Sequence, residues 1–145
     1  MRSIAILVAL FISNLFNVQA QSPSETGRDV TVTIENIKGD SGSILVGLYS
    51  EKTFLKANPE SSEEAKIVDG KATVIFKDLP EGDYAISSYH DKNGNSQMDF
   101  EPTGMPLEPY GISNNIINSY GAPRWEDAKF HVGDQAVNLS VRLNN

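Results

Sequence analysis

Oxygen-bearing side chains recur at alternate positions of one short segment, DKNGNSQMD, which runs from Asp91 to Asp99. Asp91, Asn93, Asn95 and Asp99 offer carboxylate or amide oxygens, and Gln97 could add its backbone carbonyl. Calcium binds about six to eight hard oxygen ligands, which flexible loops of this composition supply. Magnesium is the weaker alternative, and zinc is not expected in a chain with no cysteine and two histidines. The segment therefore predicts a calcium site that would fix the loop.

The same segment also has a purely structural interpretation. Counted from Asp91, an EF-hand loop requires glycine at the sixth position and glutamate at the twelfth, where this chain has Ser96 and Pro102. No helical pattern flanks the segment, so it is not an EF-hand. Asn and Asp side chains also accept hydrogen bonds from nearby backbone N–H groups, and Asn93-Gly94 suits a tight turn. Metal-free Asx-turns are therefore an open alternative.

A second group of side chains suggests recognition. Tyr110, Tyr120, Arg124 and Trp125 lie in a region rich in proline and glycine. Exposed aromatic rings and arginine are common at binding surfaces, so these four residues are candidates for contact with a protein or carbohydrate ligand. The alternative is that the rings form a small core of their own, which holds the loop against the rest of the domain.

Catalytic chemistry has less support in the sequence. His90 adjoins Asp91 and could act as an acid or base, which makes a hydrolase one possible interpretation. His131 alternates with apolar neighbours and is expected to face solvent. The chain has no G-x-S-x-G nucleophile motif, no phosphate-binding loop and no dinucleotide fingerprint. These observations favour a non-catalytic protein.

Alternating apolar and polar residues predict the strands that must position these groups. A single all-β sandwich of about seven short strands is expected. A long connection, Asp91 to Glu126, is expected to be ordered because it carries several apolar side chains. Short helical turns are predicted around Thr53–Ala57 and after Ser61. The apolar positions that define the predicted strands are Val30, Val32 and Ile34; Ile44, Val46 and Leu48; Ala72, Val74 and Phe76; Tyr84 and Ile86; Ala128, Phe130 and Val132; and Val137, Leu139, Val141 and Leu143.

The first residues resemble an export signal. Arg2 precedes an apolar run from Ile4 to Phe16, and Val18-Gln19-Ala20 fits a signal peptidase site. We expect a signal peptide over 1–20, a flexible tether over 21–28, a sandwich domain over 29–145 and no membrane span in the mature chain. A periplasmic or extracellular location follows, with an uncleaved anchor as the alternative. The absence of cysteine means that disulfides do not stabilise the fold.

The chain is acidic, with a formal net charge of −7. An acidic surface repels phosphate backbones, so nucleic acid is not an expected partner.

Several motifs resemble known families. In the segment LPEGDY (Leu79–Tyr84), Pro80 and Gly82 suit a tight turn, which predicts a hairpin. The segment also resembles a hairpin of transthyretin-like and carboxypeptidase-regulatory-like sandwich domains. In addition, four motifs in order resemble DUF2141, a bacterial family of small secreted proteins of unknown function. They are GLYS with a phenylalanine soon after it at 47–54, LPEGDYAISSYHDKNGNSQMD at 79–99, GMPLEPYGISNN at 104–115 and GAPRWEDAKF at 121–130. This resemblance implies a secreted β domain and brings no reaction or ligand with it.

Taken together, the sequence favours a secreted, non-catalytic binding or accessory domain of unknown ligand, with calcium as a candidate stabilising ion. One alternative is a structural protein of the cell envelope, in which the edges of the sandwich pair with other chains. The other alternative is a hydrolase that uses His90 and Asp91.

Overall fold

A computed structural model describes residues 28–145. The predicted signal peptide and nearly all of the predicted tether lie outside the described residues, and β1 begins at Arg28, the last residue of that tether. The strands are β1 (Arg28–Glu35), β2 (Ser43–Tyr49), β3 (Ser61–Ala65), β4 (Ala72–Leu79), β5 (Gly82–Asp91), β6 (Tyr110–Ile112), β7 (Phe130–Val132) and β8 (Val137–Arg142). A 3₁₀ turn covers Ser113–Asn115, and a short helix, α1, covers Trp125–Ala128.

These strands form two sheets, which confirms the all-β sandwich. One sheet has the order β4-β1-β8, in which β1 pairs antiparallel with β4 and parallel with β8. The other has the order β3-β2-β5-β6, and β7 pairs with the first residues of β5. The central strands β1 and β5 therefore hold neighbours on both sides.

The inward faces of the two sheets share one apolar core. Alternate residues of β1 are buried because successive side chains of a strand point to opposite faces. The same period of two buries Ile44, Val46 and Leu48 on β2. Each such side chain contributes about 1.5–3 kcal/mol when fully buried. The alternating pattern of the sequence thus identified the core of both sheets.

The turn at Pro80 joins the two sheets and is not a hairpin, so that prediction is wrong. β4 ends at Leu79 and pairs with β1, whereas β5 begins at Gly82 and pairs with β2, β6 and β7. Leu79 and Tyr84 both pack on the shared core, and the Tyr84 hydroxyl donates to the carbonyl of Pro80 at 3.0 Å. The turn residues indicate a reversal of the chain, and a corner between two sheets provides such a reversal as well as a hairpin does.

Two further segments differ from the predictions. The residues after Ser61 form β3, an edge strand paired antiparallel with β2, instead of a helical turn. The run SSEEA has no apolar alternation, so its strand pairing leaves little trace in the sequence. Ala128, predicted to open a strand, ends α1, and β7 begins at Phe130.

The turn predicted around Thr53 is present. The N–H of Ala57 donates to the carbonyl of Thr53 at 3.1 Å, the spacing of a helical turn.

The long connection between Asp91 and Glu126 contains regular structure. β6, the 3₁₀ turn and the start of α1 all lie within it. β6 has only three residues with a glycine in the middle, which explains why no strand pattern was visible. Between Arg28 and Asn145, no helix has the length and apolar character needed to cross a membrane.

Candidate functional site

His90 lies near the end of β5 and faces the core. Ile86, Ser88 and His90 alternate along the strand, and His90 stands opposite Ile44 of β2. Its side chain is 1% exposed, and Nε2 donates to the carbonyl of Ser41 at 2.7 Å. Nδ1 is buried without a hydrogen-bond partner among residues 28–145. His90 is therefore a core residue whose imidazole does not reach a surface.

Asp91 follows on the opposite face and organises the segment Asp91–Asp99, called here the polar turn. Its carboxylate, also 1% exposed, accepts three backbone N–H groups. Oδ1 accepts from Gly94 at 2.8 Å and from Asn95 at 3.2 Å, and Oδ2 accepts from Ser96 at 2.8 Å. These bonds compensate the carboxylate for its loss of water. Asp91 thus closes the turn onto the end of β5.

The remaining oxygens of the polar turn are also engaged. The Oδ1 atoms of Asn93 and Asn95 accept from the backbone N–H groups of Asn95 and Gln97, at 3.1 and 3.0 Å. Both amide groups donate to the carboxylate of Asp99, at 2.6 Å from Asn93 and 3.0 Å from Asn95. The structure therefore brings Asp91, Asn93, Asn95 and Asp99 together as a network of Asx-turns, and Gln97 takes part through its N–H.

Glu108 is a member of this site that sequence reasoning missed. Its carboxylate accepts from the N–H of Lys92 at 3.1 Å and from the N–H of Asp99 at 3.4 Å, and the residue is 7% exposed. A reversal of the chain brings it back, since Leu107 donates its N–H to the carbonyl of Asp99 at 2.8 Å. The one signal in the sequence was a glutamate in an apolar, proline-flanked context, PLEP at 106–109.

Within the described part of the chain, the carboxylates of Asp91, Asp99 and Glu108 form no ion pair. Ion pairs found elsewhere in these residues include Lys71 with Glu35, Arg124 with Asp127, Lys129 with Glu126 and His131 with Asp83. In the same residues, no group of three or more His, Cys, Asp or Glu side chains has the arrangement of a metal centre. The hydrogen bonds agree with the Asx-turn interpretation without an ion, and calcium binding stays a prediction.

The carboxylates of this region affect the pKa of the nearby Tyr89 phenol. Partial burial, followed by the charges of Asp91 and Glu108, raises the pKa of Tyr89 to about 12. The neutral phenol is favoured because its ionised form would lie near carboxylates in a partly desolvated environment.

Three consecutive residues after β6, Ser113–Asn115, hold separate elements together and are called here the SNN clamp. The Ser113 hydroxyl accepts from the N–H of Ile86 at 3.0 Å and donates to the carbonyl of Ala128 at 2.6 Å. The Asn114 amide donates to the carbonyls of Asp127 and Lys129, at 3.0 and 2.9 Å. The clamp therefore fixes α1 against β5.

Gly111, in β6, allows the close approach that the clamp requires. A Cβ at this position would lie 2.7 Å from the carbonyl oxygen of Arg142 and 2.8 Å from a methyl group of Val141. Real Cβ atoms do not approach backbone so closely, so glycine is required where β6 passes β8.

The four predicted contact residues fall into two pairs. Tyr110 and Trp125 are half-buried and pack on a second, smaller core of Phe54, Ala85, Ile112 and Ala128. Tyr120 is 100% exposed, and Arg124 is exposed and pairs with Asp127 at 2.9 Å. The structure thus places one pair in the support of the loop and leaves the other pair on the surface.

Trp125 also borders an open groove of about 500 Å³. Its ring meets Phe54 edge to face, with centroids 5.9 Å apart, and Phe54 meets Tyr49 in the same way at 6.0 Å. The indole is therefore held by a row of rings. The other lining residues are Ser50, Glu51, Lys52, Glu60, Asp83, Glu126 and Lys129.

Some charged groups of the groove already have hydrogen-bond partners. Lys129 Nζ lies 2.7 Å from Glu126, and the hydrogen bond and charge of Glu126, with smaller contributions from Asp83 and Glu51, raise the pKa of Lys129. Glu60 accepts from the Ser50 hydroxyl at 2.6 Å. Sequence reasoning missed these residues because they come from separate segments that only the fold brings together.

The structure does not bring the side chains of the predicted hydrolytic pair together, because His90 and Asp91 point to opposite faces of β5. Both side chains are buried and hydrogen-bonded, His90 to Ser41 and Asp91 to the backbone of the polar turn. His131 is exposed, as predicted, and its Nδ1 lies 2.8 Å from Asp83 at the rim of the groove.

The fold and these sites define a small β-sandwich domain with an ordered, oxygen-rich turn and a tryptophan-bordered groove. Residues 32–140 match the family model described as "Uncharacterized protein conserved in bacteria (DUF2141)", and the chain belongs to that family. The comparison with curated proteins and the comparison with solved structures each gave no match.

Proposed function

We propose that this chain is an exported, non-catalytic binding domain and that the groove beside Trp125 receives its ligand. The observation that carries the proposal is a half-exposed indole, fixed by Phe54, next to carboxylate and ammonium groups. Binding sites commonly combine an aromatic surface with a few polar groups that fix the orientation of the ligand. Export rests on the signal-like residues 1–20.

A carbohydrate is the ligand class that suits this groove best. Carboxylates accept hydrogen bonds from sugar hydroxyls and the lysine ammonium groups donate to them, while an indole can cover the apolar face of a sugar ring. The open shape of the groove would admit part of a longer chain. A protein segment is the other candidate ligand class, because the side chains of Tyr120 and Arg124 are exposed and could contact one.

The single tryptophan of the sequence makes this proposal directly measurable. Intrinsic fluorescence should shift when neutral or amino oligosaccharides are titrated into the purified protein, and calorimetry should give the same midpoint. Trp125→Leu should abolish the calorimetric signal. Tyr120→Ala is the matched control, because that ring is fully exposed and does not line the groove.

Retained binding by Trp125→Leu, or no response of the wild-type protein to any oligosaccharide of the panel, would contradict the carbohydrate proposal.

We also propose that calcium stabilises the polar turn. Asp91, Asp99 and Glu108 lie in one hydrogen-bonded network, and none of the ion pairs formed within residues 28–145 includes them, which favours a bound cation. Binding would require Asn93 and Asn95 to turn their amide oxygens toward Asp99, where their nitrogens now point. The ion would then replace hydrogen bonds that close the turn, and its positive charge would compensate the charges of the carboxylates.

Thermal unfolding in calcium and in chelator tests this second proposal. At about 100 times the dissociation constant, calcium should raise the free energy of unfolding by roughly 2.7 kcal/mol. Asp99→Asn should remove most of the gain, whereas Asp134→Asn, in the exposed turn after β7 at the opposite end of β5, should keep it. Identical wild-type midpoints in calcium and chelator would show that the Asx-turns close the loop without an ion.

The two other candidate functions have weaker support. Hydrolysis by His90 and Asp91 lacks a reachable imidazole. Assembly through the sheet edges is opposed at β8 by Asn115, which is hydrogen-bonded to that edge, and at β3 by the exposed acids Glu63 and Glu64.

A further inference from the structure

The outer edge of β8 forms hydrogen bonds with a side chain, where a neighbouring strand could otherwise pair. β8 pairs with β1 along one side, and its other side faces the last residue of the SNN clamp. Asn115 Oδ1 accepts from the N–H of Arg142 at 2.7 Å, and Nδ2 donates to the carbonyl of Ser140 at 3.2 Å. One amide group thus satisfies one donor and one acceptor of this edge.

These two backbone groups are the ones that an added strand would use. Backbone groups of a strand alternate between its two sides, and Leu143 bonds toward β1 by donating its N–H to the carbonyl of Glu35 at 3.0 Å. The groups of Ser140, Arg142 and Asn144 therefore face outward. A neighbouring strand would accept from Arg142 and donate to Ser140 across Val141, as Asn115 does.

β6 occupies the next part of the same edge, beyond the bonds of Asn115 toward the end of the chain. Asn144 donates its N–H to the carbonyl of Tyr110 at 2.8 Å. By the same alternation, the N–H and carbonyl of Asn138 also face outward, beyond the reach of these contacts. The edge is thus closed along its second half, and the first half is too short to pair by itself.

We propose that Asn115 blocks strand addition at β8 and so prevents this edge of the β4-β1-β8 sheet from pairing with a second copy of this chain. Open edges are templates for pairing with other chains, and natural sheets carry devices that close them. Asn114 and Asn115 have positive φ angles of 61° and 53°, a conformation that asparagine tolerates better than most residues. This local conformation places the amide against the edge.

A second copy is the occupant because β8 lacks the adjacent acids that protect the edge at β3. VNLSVR contains Arg142 and no acid, whereas β3, an outer strand of the other sheet, carries the adjacent exposed acids Glu63 and Glu64. Two copies of β3 would repel each other, but two copies of β8 could pair around a twofold axis with most positions uncharged. The two edges are therefore protected by different means.

Sedimentation of Asn115→Ala tests the proposal. The variant should form dimers as protein concentration rises, under conditions where the wild-type protein and Asn118→Ala stay monomeric. Asn118 is the matched control because its amide donates to Ala122, within its own loop. Hydrogen exchange at the Arg142 amide should accelerate at least about fivefold in dilute Asn115→Ala, with no change in Asn118→Ala.

A second variant covers the case in which Asn115→Ala does not fold. Asn115→Gly removes the amide, and glycine adopts the positive φ of this position without strain. It should also form dimers as protein concentration rises and leave the Arg142 amide unprotected when dilute. A folded Asn115→Ala or Asn115→Gly variant that stays monomeric at high concentration would overturn the proposal, and so would a wild-type dimer whose interface protects Asn138.

Discussion

The two halves of the long connection between β5 and β7 are ordered in different ways. In the polar turn, hydrogen bonds from side chains join residues 2 to 6 positions apart. In the SNN clamp, they join residues 13 to 27 positions apart and reach β5, β8 and α1. The first half therefore closes largely on itself, and the second half is part of the sandwich. We expect damage to the first half to stay local and damage to the second half to lower the stability of the whole domain.

The largest effect should come from Ser113→Ala. Ser113 is 0% exposed, and its loss would leave the N–H of Ile86 and the carbonyl of Ala128 buried without partners. We expect the free energy of unfolding in urea to fall by about 2–4 kcal/mol. Ser62→Ala, at an exposed position of β3, is the control and should change it by less than about 0.5 kcal/mol. Equal effects of both substitutions would mean that the clamp does not support the sandwich.

A smaller and local effect is expected from Asp91→Asn. The new amide nitrogen would face the N–H of Ser96, so one bond and the negative charge would be lost. We expect a loss of about 0.5–1.5 kcal/mol and faster hydrogen exchange at residues 94–96, with little change in the exchange of β1. Uniformly faster exchange through both sheets would show that the polar turn is as integral as the clamp.

The smallest effect is a pH dependence that reports on the polar turn. The pKa of Tyr89 is about 12 in the folded protein and is raised from 10.0. A raised pKa favours the folded state while the phenol is protonated, so this contribution is complete below pH 10 and is lost as pH rises to 12. The free energy of unfolding should therefore fall more steeply between these pH values in the wild-type protein than in Tyr89→Phe. Tyr120→Phe, at a fully exposed ring, controls for loss of a hydroxyl.

Period-two alternation predicted the fold well because the sandwich buries one face of most strands. Val30, Val32 and Ile34 are all buried, as the pattern indicated. The strands that escaped detection, β3 and β6, are polar or interrupted by glycine, and their pairing depends on neighbours elsewhere in the chain. The corner at Pro80 was mistaken for a hairpin because turn residues specify a reversal of the chain without specifying which strands pair.

The polar turn was identified from the sequence because its contacts are local. Asp91 and Asp99 could be related by spacing alone. Glu108 and the members of the SNN clamp escaped because their partners lie far along the chain, and a buried glutamate or serine has no periodic signature. Trp125 was singled out by its type, but the surrounding Glu51, Asp83 and Lys129 converge only after β5, α1 and the turn before β3 have docked.

The parallel pairing of β1 with β8 has a consequence for the order of folding. β1 is the central strand of its sheet, and Val30 meets Val137 there, with nearly the whole domain between them. A growing chain that ends before Val137 can form only the β4–β1 pair of that sheet and exposes the second edge of β1. Such late closure of distant contacts slows folding. The protein should thus remain without its final core until its last strand is available, and removal of Val137–Asn145 should leave an aggregation-prone chain.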